Sequence, residues 1–142
     1  MQVSEIVKER PLRTIAPGKT VQQAILTLCE YNIGALPVCE SDGEVLGIIT
    51  ERDVLRLCAG NDCQQALQQR VSEVMTRNLI ICVPHDSIEN AMHVMTQKRI
   101  RHLPILEGRK LVGMLSIGDV VKAKLDDASA EIRFMRDYLA GA

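Results

Sequence analysis

The sequence predicts an α+β fold: two β-α-β-β-α repeats packed sheet to sheet about a pseudo-twofold axis, with a further helix at the C-terminal end. Three observations predict it. The stretch Gly47-Ile48-Ile49-Thr50-Glu51-Arg52-Asp53-Val54 is written again as Gly113-Met114-Leu115-Ser116-Ile117-Gly118-Asp119-Val120. Around it, Pro17/Pro84, Ala24/Ala91, Ile33/Ile100 and Pro37/Pro104 are 67 residues apart, while Gly47/Gly113 and Asp53/Asp119 are 66 apart. Within each copy, apolar residues fall first in a helical stripe and then in two strand-length runs. The single lost residue falls where Ser41-Asp42-Gly43 faces Gly108, a turn, where length changes cheaply.

Each repeat opens on a short helix, around Ser4–Lys8 and Ser72–Met75, because Val3-Ser4-Glu5-Ile6-Val7 is matched by Val71-Ser72-Glu73-Val74-Met75. A short extended segment follows, Leu12–Ile15 or Leu79–Val83. Thr20 and Ser87 are N-cap residues, since a hydroxyl accepts from the unpaired amides of a first helical turn. The helices after them set Val21, Ala24, Ile25 and Leu28, and Ile88, Ala91, Met92 and Met95, on one apolar face. Gly34 is expected to stop the first of these helices, with Arg101 at that place in the second copy. Strands at Ala35–Cys39 and Val45–Thr50, and at His102–Leu106 and Leu111–Ser116, complete each sheet. Helices then start at Glu51, ending near Ala59, and at Ile117. The polar stretch Asn61–Gln69 reads as a helix end and linker, and Ala128–Leu139 as a helix with Ile132, Met135 and Leu139 on one face. The domain boundaries that follow are 3–60, a linker 61–70, 71–125 and a tail 126–142.

Composition narrows the function. A chain of 142 residues buries about 68–70% of its unfolded surface, enough for a core. With no Trp, one Phe and two Tyr, that core is aliphatic and offers no stacking platform for bases. A formal net charge of −1 argues against nucleic acid as a partner, leaving only the basic run from Lys98 to Arg109 in its favour. Met1-Gln2-Val3-Ser4-Glu5 has no leader character and the apolar runs are short, so a cytoplasmic protein with no membrane partner is expected. The five cysteines are odd in number, scattered and without a CxxC pair, and read as buried thiols.

The duplicated stretch carries the chemistry. Thr50-x-x-Asp53 and Ser116-x-x-Asp119 fit a capping box, although that box ordinarily uses the longer Glu or Gln. They equally fit a nucleotide corner at a strand-to-helix junction: the carboxylate accepts from ribose hydroxyls while the hydroxyl and helix amides face phosphate. One hydroxyl can do both. Cations come from the run Lys98-Arg99-Ile100-Arg101-His102; Lys98 and Arg99 read as a solvated helix end, whereas Arg101 and His102 begin a strand. The copies differ here, for the first has Gly34 and Ala35 in place of Arg101 and His102, and the second has Gly118 in place of Arg52. His85 and His93 read as ordinary surface histidines. No nucleophile with a base, carboxylate dyad or ligand cluster is present, so no enzyme is expected.

Two linked copies of this pattern, with Asn32-Ile33-Gly34-Ala35-Leu36-Pro37-Val38 and Ile100-Arg101-His102-Leu103-Pro104-Ile105 ahead of the two motifs, resemble a tandem pair of cystathionine-β-synthase (CBS) domains. That arrangement is called a Bateman module, and the resemblance runs from about Val3 to Lys124. With no other domain attached, the chain resembles the stand-alone pairs. The resemblance implies a regulatory sensor of AMP, ADP or ATP, with NAD(H) and S-adenosylmethionine as further ligands, and a homodimer shaped as a flat disc that signals to a regulated protein. It also implies clefts drawing on both repeats. One would join Thr50, Arg52 and Asp53 to Arg101 or His102, with Leu79 and Ile80 as its adenine wall. The other would join Ser116, Gly118, Asp119 and Arg101, with Leu12 and Arg13 as its wall and fewer cations of its own; Ile33 and Ile48 are further wall candidates. The expected affinities are unequal, with phosphate preferring the cleft that Arg101 reaches. The rival reading is a structural, dimerising module with no physiological ligand.

Overall fold

The computed structural model describes residues 1–7, 10–60 and 62–141. Lys8 at the expected end of the first helix, Asn61 at the start of the linker and Ala142 at the end of the tail lie outside the described residues. The elements in order are α1 (Val3–Val7), α2 (Val21–Tyr31), β1 (Ala35–Cys39), β2 (Val45–Thr50), α3 (Glu51–Gly60), α4 (Cys63–Gln68), α5 (Val71–Val74), α6 (Ile88–Lys98), β3 (His102–Glu107), β4 (Lys110–Ser116) and α7 (Ile117–Ala140).

Strands β1 and β2 pair antiparallel with Ala35 opposite Thr50, and β3 and β4 pair with His102 opposite Ser116. Each hairpin carries its irregularity at the same place, Val38/Cys39 and Ile105/Leu106, so the duplication reaches the backbone. The extended segments expected before α2 and α6 shrink to one parallel bridge each, Ile15 to Val38 and Cys82 to Ile105. Within those two segments Ile15 and Cys82 reach the sheet with both backbone groups: Ile15 N–H donates to Pro37 and its carbonyl accepts from Cys39, both at 3.0 Å. Their neighbours Leu12 and Ile81 are exposed instead.

The two cores exchange their opening helices. Val71 and Met75, at the start of the second repeat, pack with Ile15, Leu36 and Ile49 of the first. Val3 and Val7, at the start of the first, pack with Ile88, Leu103 and Leu115 of the second. Backbone bonds hold both crossings: Val3 N–H to the Asp86 carbonyl at 2.9 Å, and Val71 N–H to the Lys19 carbonyl at 2.8 Å. Val3 and Val71 are fully buried, and each such side chain contributes about 1.5–3 kcal/mol relative to exposure. The exchange explains the glycine of the duplicated stretch. A Cβ on Gly47 would lie 2.7 Å from both Met75 Sδ and the Thr76 carbonyl oxygen, because the crossing chain runs directly over it. The hairpin tips meet through Cys39, Leu106 and Leu111, and Lys110 donates to the Asp42 carbonyl.

Four expectations are corrected. Helix α2 ends on Asn32 and α6 on Arg99, both left-handed at φ 52° and 56°, so Gly34 is not the stop. The expected linker contains helix α4, capped by Asp62 and with Ala66 fully buried; six residues are too few to show a period in sequence. The tail does not form a separate helix but prolongs α7, which runs unbroken for 24 residues. Of the cysteines, Cys39 and Cys82 are buried, but Cys29 and Cys63 are exposed and Cys58 is half-buried. Burial pushes the Cys82 thiol up to about 12, with Asp86 adding to the effect.

Candidate functional site

Strand-to-helix junctions place the two corners symmetrically. The amide that opens α3, Glu51 N–H, donates to the Gly34 carbonyl at 3.0 Å, and the one that opens α7, Ile117 N–H, donates to the Arg101 carbonyl at 2.8 Å. In each corner the hydroxyl and the acid form a reciprocal capping box. Asp53 N–H donates to Thr50 Oγ1 at 3.3 Å and Thr50 N–H to Asp53 Oδ2 at 2.9 Å. Asp119 N–H donates to Ser116 Oγ at 3.2 Å and Ser116 N–H to Asp119 Oδ2 at 2.8 Å. Aspartate therefore closes the box despite its shorter reach.

The free sides of the two carboxylates meet different partners. Arg10 grips Asp119 with both terminal nitrogens, Nη1 to Oδ2 and Nη2 to Oδ1, each at 2.8 Å. Burial pushes the Asp119 carboxyl up, but the Arg10 and Ser116 hydrogen bonds outweigh it and hold the group below its ordinary value. The Arg10 guanidinium is correspondingly raised, by its hydrogen bond to Asp119 above all. Asp53 instead accepts from Thr76 Oγ1 at 3.1 Å and from Thr50 Oγ1 at 3.1 Å, both neutral donors. Arg77, which lies 67 residues after Arg10, donates to the Ser72 carbonyl at 2.8 Å and leaves Asp53 alone.

A cavity of about 410 Å³ opens on the Asp119 side. Ser116, Ile117 and Gly118 line it from the second repeat, with Arg101 and His102; Gly34, Ala35, Glu51, Leu12 and Arg13 line it from the first, with Arg10 at its edge. Its volume lies within the range of small-molecule pockets. Gly34 packs closely there: an added Cβ would lie 2.7 Å from Glu51 Oε1, the end of a flexible side chain, and 3.2 Å from the His102 ring, so both side chains would have to shift. Burial lowers the His102 pKa, opposed by the charges of Glu51 and Asp119 and assisted by Arg101, so the ring is neutral near pH 7. Arg13 lies over the Tyr31 ring at 3.8 Å, a cation–π contact that steadies one wall.

A shallower depression of about 280 Å³ is lined by Arg52, Arg99, Arg101 and Ile117. Arg52 Nη1 donates to the Arg99 carbonyl at 3.5 Å. The expected union of Thr50 and Asp53 with Arg101 or His102 is therefore not formed. Neither cavity is lined by Thr50, Asp53, Leu79 or Ile80, nor by the Asp119 carboxylate itself, which lies behind its partners Arg10 and Ser116, both on the wall of the larger cavity. Ile80 packs against the second core, and Met75 and Thr76 close over the Gly47 side. The Asp119 cleft is also not the poorer one in cations, for Arg10, Arg13 and Arg101 all line it, beside the neutral His102 ring.

Arg10, Glu51 and Thr76 are the residues that sequence reasoning missed. Arg10 carried a signal, its 67-residue match to Arg77, but its reach to Asp119 follows from the helix exchange, which no local pattern encodes. The arrangement as a whole is a two-lobed module with a ligand-sized cleft between duplicated lobes. The CBS-domain family model matches residues 3–60 and 71–126. The chain belongs to the CBS-domain family, as a tandem pair. It is 35% identical over 86% of its length to the Arabidopsis thaliana CBS domain-containing protein CBSX3, mitochondrial, of which it spans 61%. Among solved structures it is similar to the CBS-domain containing protein ATU1752 from Agrobacterium tumefaciens, with TM-score 0.80 and 39% identity over 87% of this chain and 99% of that one. It is also similar to the CBS domain pair of protein MJ0100 in complex with 5-methylthioadenosine and S-adenosyl-L-methionine, with TM-score 0.78 and 25% identity over 87% and 98%.

Proposed function

We propose that this chain is a regulatory module that binds an adenosyl ligand in the Asp119 cleft and reports its occupancy to a partner protein. The observation that carries the reading is the grouping of Arg10, Arg101, His102 and the start of α7 around one cavity of about 410 Å³. Ribose hydroxyls would take over the Asp119 carboxylate from Arg10, which is already on the cavity wall and would turn to phosphate. The amides at the start of α7 favour an anion there. Leu12, Ile33 and Ile117 supply apolar surface for adenine. AMP is the leading ligand, followed by ADP and ATP; NAD(H) and S-adenosylmethionine use the same ribose contacts, but the NAD(H) diphosphate has no terminal phosphate to offer Arg101 and S-adenosylmethionine has no phosphate at all. The methylthioadenosine and S-adenosylmethionine complexes of the MJ0100 pair support the adenosyl class. The Asp53 corner, closed by Thr76, is the weaker site. The role is binding, not catalysis, with a homodimer as the working unit in the cytoplasm.

A thermal-shift series with AMP, ADP, ATP, NAD(H) and S-adenosylmethionine tests this. A ligand that binds only the folded chain adds RT ln(1 + [L]/Kd), about 2.7 kcal/mol at a hundredfold excess over Kd, and should raise the midpoint visibly. No shift with any of the five at millimolar concentration contradicts it.

A further inference from the structure

Helix α7 has an apolar seam that this chain leaves uncovered. Only Val120 and Ala123 of the helix are buried, and Lys124 ties it to Glu89 of α6 at 2.9 Å. From Leu125 to Gly141 every residue is exposed. Most helical stability in proteins comes from tertiary packing of an amphipathic face, and within this chain that stretch has none. Val121, Leu125, Ala128, Ile132, Met135 and Leu139 follow one another at spacings of four and three residues, the a/d repeat of a coiled coil. Their exposure is large: 63% for Leu125 and Met135, 52% for Ile132 and 72% for Leu139. Tyr138 borders the same stripe and is 72% exposed.

We propose that α7 from Val121 to Leu139 forms a parallel two-stranded coiled coil with α7 of a second copy of this chain. The charges beside the seam select that partner and direction. Glu131 falls at position g and Arg136 at the following e, the pair that meets across a parallel dimer and, by symmetry, meets twice. Within one chain they are five residues apart, and neither takes part in an ion pair among the described residues. The antiparallel register that matches all six apolar positions sets Glu131 beside its own copy and Lys122 beside Arg136, like charge against like in both places. This assignment does not depend on any ligand.

Sedimentation equilibrium of the full chain tests it. Ile132→Asp should weaken self-association at least about tenfold while leaving the circular dichroism of the two lobes intact. Glu131→Arg should weaken it too, and adding Arg136→Glu should restore it. In a separate arm, Ala128→Cys should oxidise to a covalent dimer above the background set by exposed Cys29 and Cys63, while Asp126→Cys, on the outer face, should not. Unchanged association in Ile132→Asp, no rescue in the double variant, or equal cross-linking through both cysteines overturns the seam.

Discussion

At the scale of single residues, the Asp119 corner is a charged latch and the Asp53 corner a neutral one. Arg10→Met should cost about 1 kcal/mol at pH 7, the size expected of a partly exposed bidentate pair, read as a lower urea midpoint. Because the folded Asp119 carboxyl is held below its ordinary value, this contribution is complete above roughly pH 4 and is lost as the pH falls toward the folded value. The wild type and Arg10→Met should therefore converge in stability as the pH falls through the depressed folded value of the Asp119 carboxyl. His102 behaves in the opposite sense. Its pKa is lowered, so it is neutral at pH 7 and must charge as the pH falls below roughly 6.5, which costs stability. A bound phosphate would reverse that cost. AMP binding should take up protons as the pH falls below the ordinary imidazole value, measured as a dependence of the calorimetric enthalpy on buffer ionisation, and His102→Gln should abolish the uptake. Arg101, the strand-initial cation named from sequence, does reach this cleft; Asp53, read from the duplicated stretch, does not line it.

At the scale of elements, the crossing helices make the molecule one piece. The glycine that opens each duplicated stretch records where α1 and α5 pass. Gly47→Ala would press a methyl to 2.7 Å of the Thr76 backbone, which cannot yield cheaply, whereas Gly113→Ala meets only the side chains of Val7 and Ile105, at 3.1 and 3.2 Å. Gly47→Ala should destabilise by about 1–3 kcal/mol and Gly113→Ala by less, as seen in denaturant midpoints. Strands β1 to β4 and the faces of α2 and α6 were legible from sequence because period and turn residues agree there. The exchange of α1 and α5 was not, because Val3–Val7 and Val71–Val74 have the same pattern and either lobe could accept either helix. Nor was helix α4, whose one buried anchor, Ala66, stands among glutamines. The helix stops at Asn32 and Arg99 were missed for a related reason. Gly34 is the residue one expects in a left-handed turn, yet it stands two positions later, packed closely against Glu51 and His102.

At the scale of the whole molecule, the duplication supplies two corners and the differences between copies give them unequal surroundings. Arg101 and His102 stand where the first repeat has Gly34 and Ala35, so one cleft combines a cationic wall from the second repeat with a slim wall from the first. The other corner is filled by Met75 and Thr76. On the proposed reading, a module built this way would respond to one ligand event per chain, and such a response would change a partner only if affinity differs between the partner's two states. Calorimetric titration of AMP into the wild type, Asp119→Ala and Asp53→Ala tests this inequality most directly. Loss of a charged acceptor for ribose is worth about 1.5–3 kcal/mol, so Asp119→Ala should weaken binding at least about tenfold while Asp53→Ala leaves the tight site within about twofold. Equal losses in the two variants, or a larger loss in Asp53→Ala, would contradict the account.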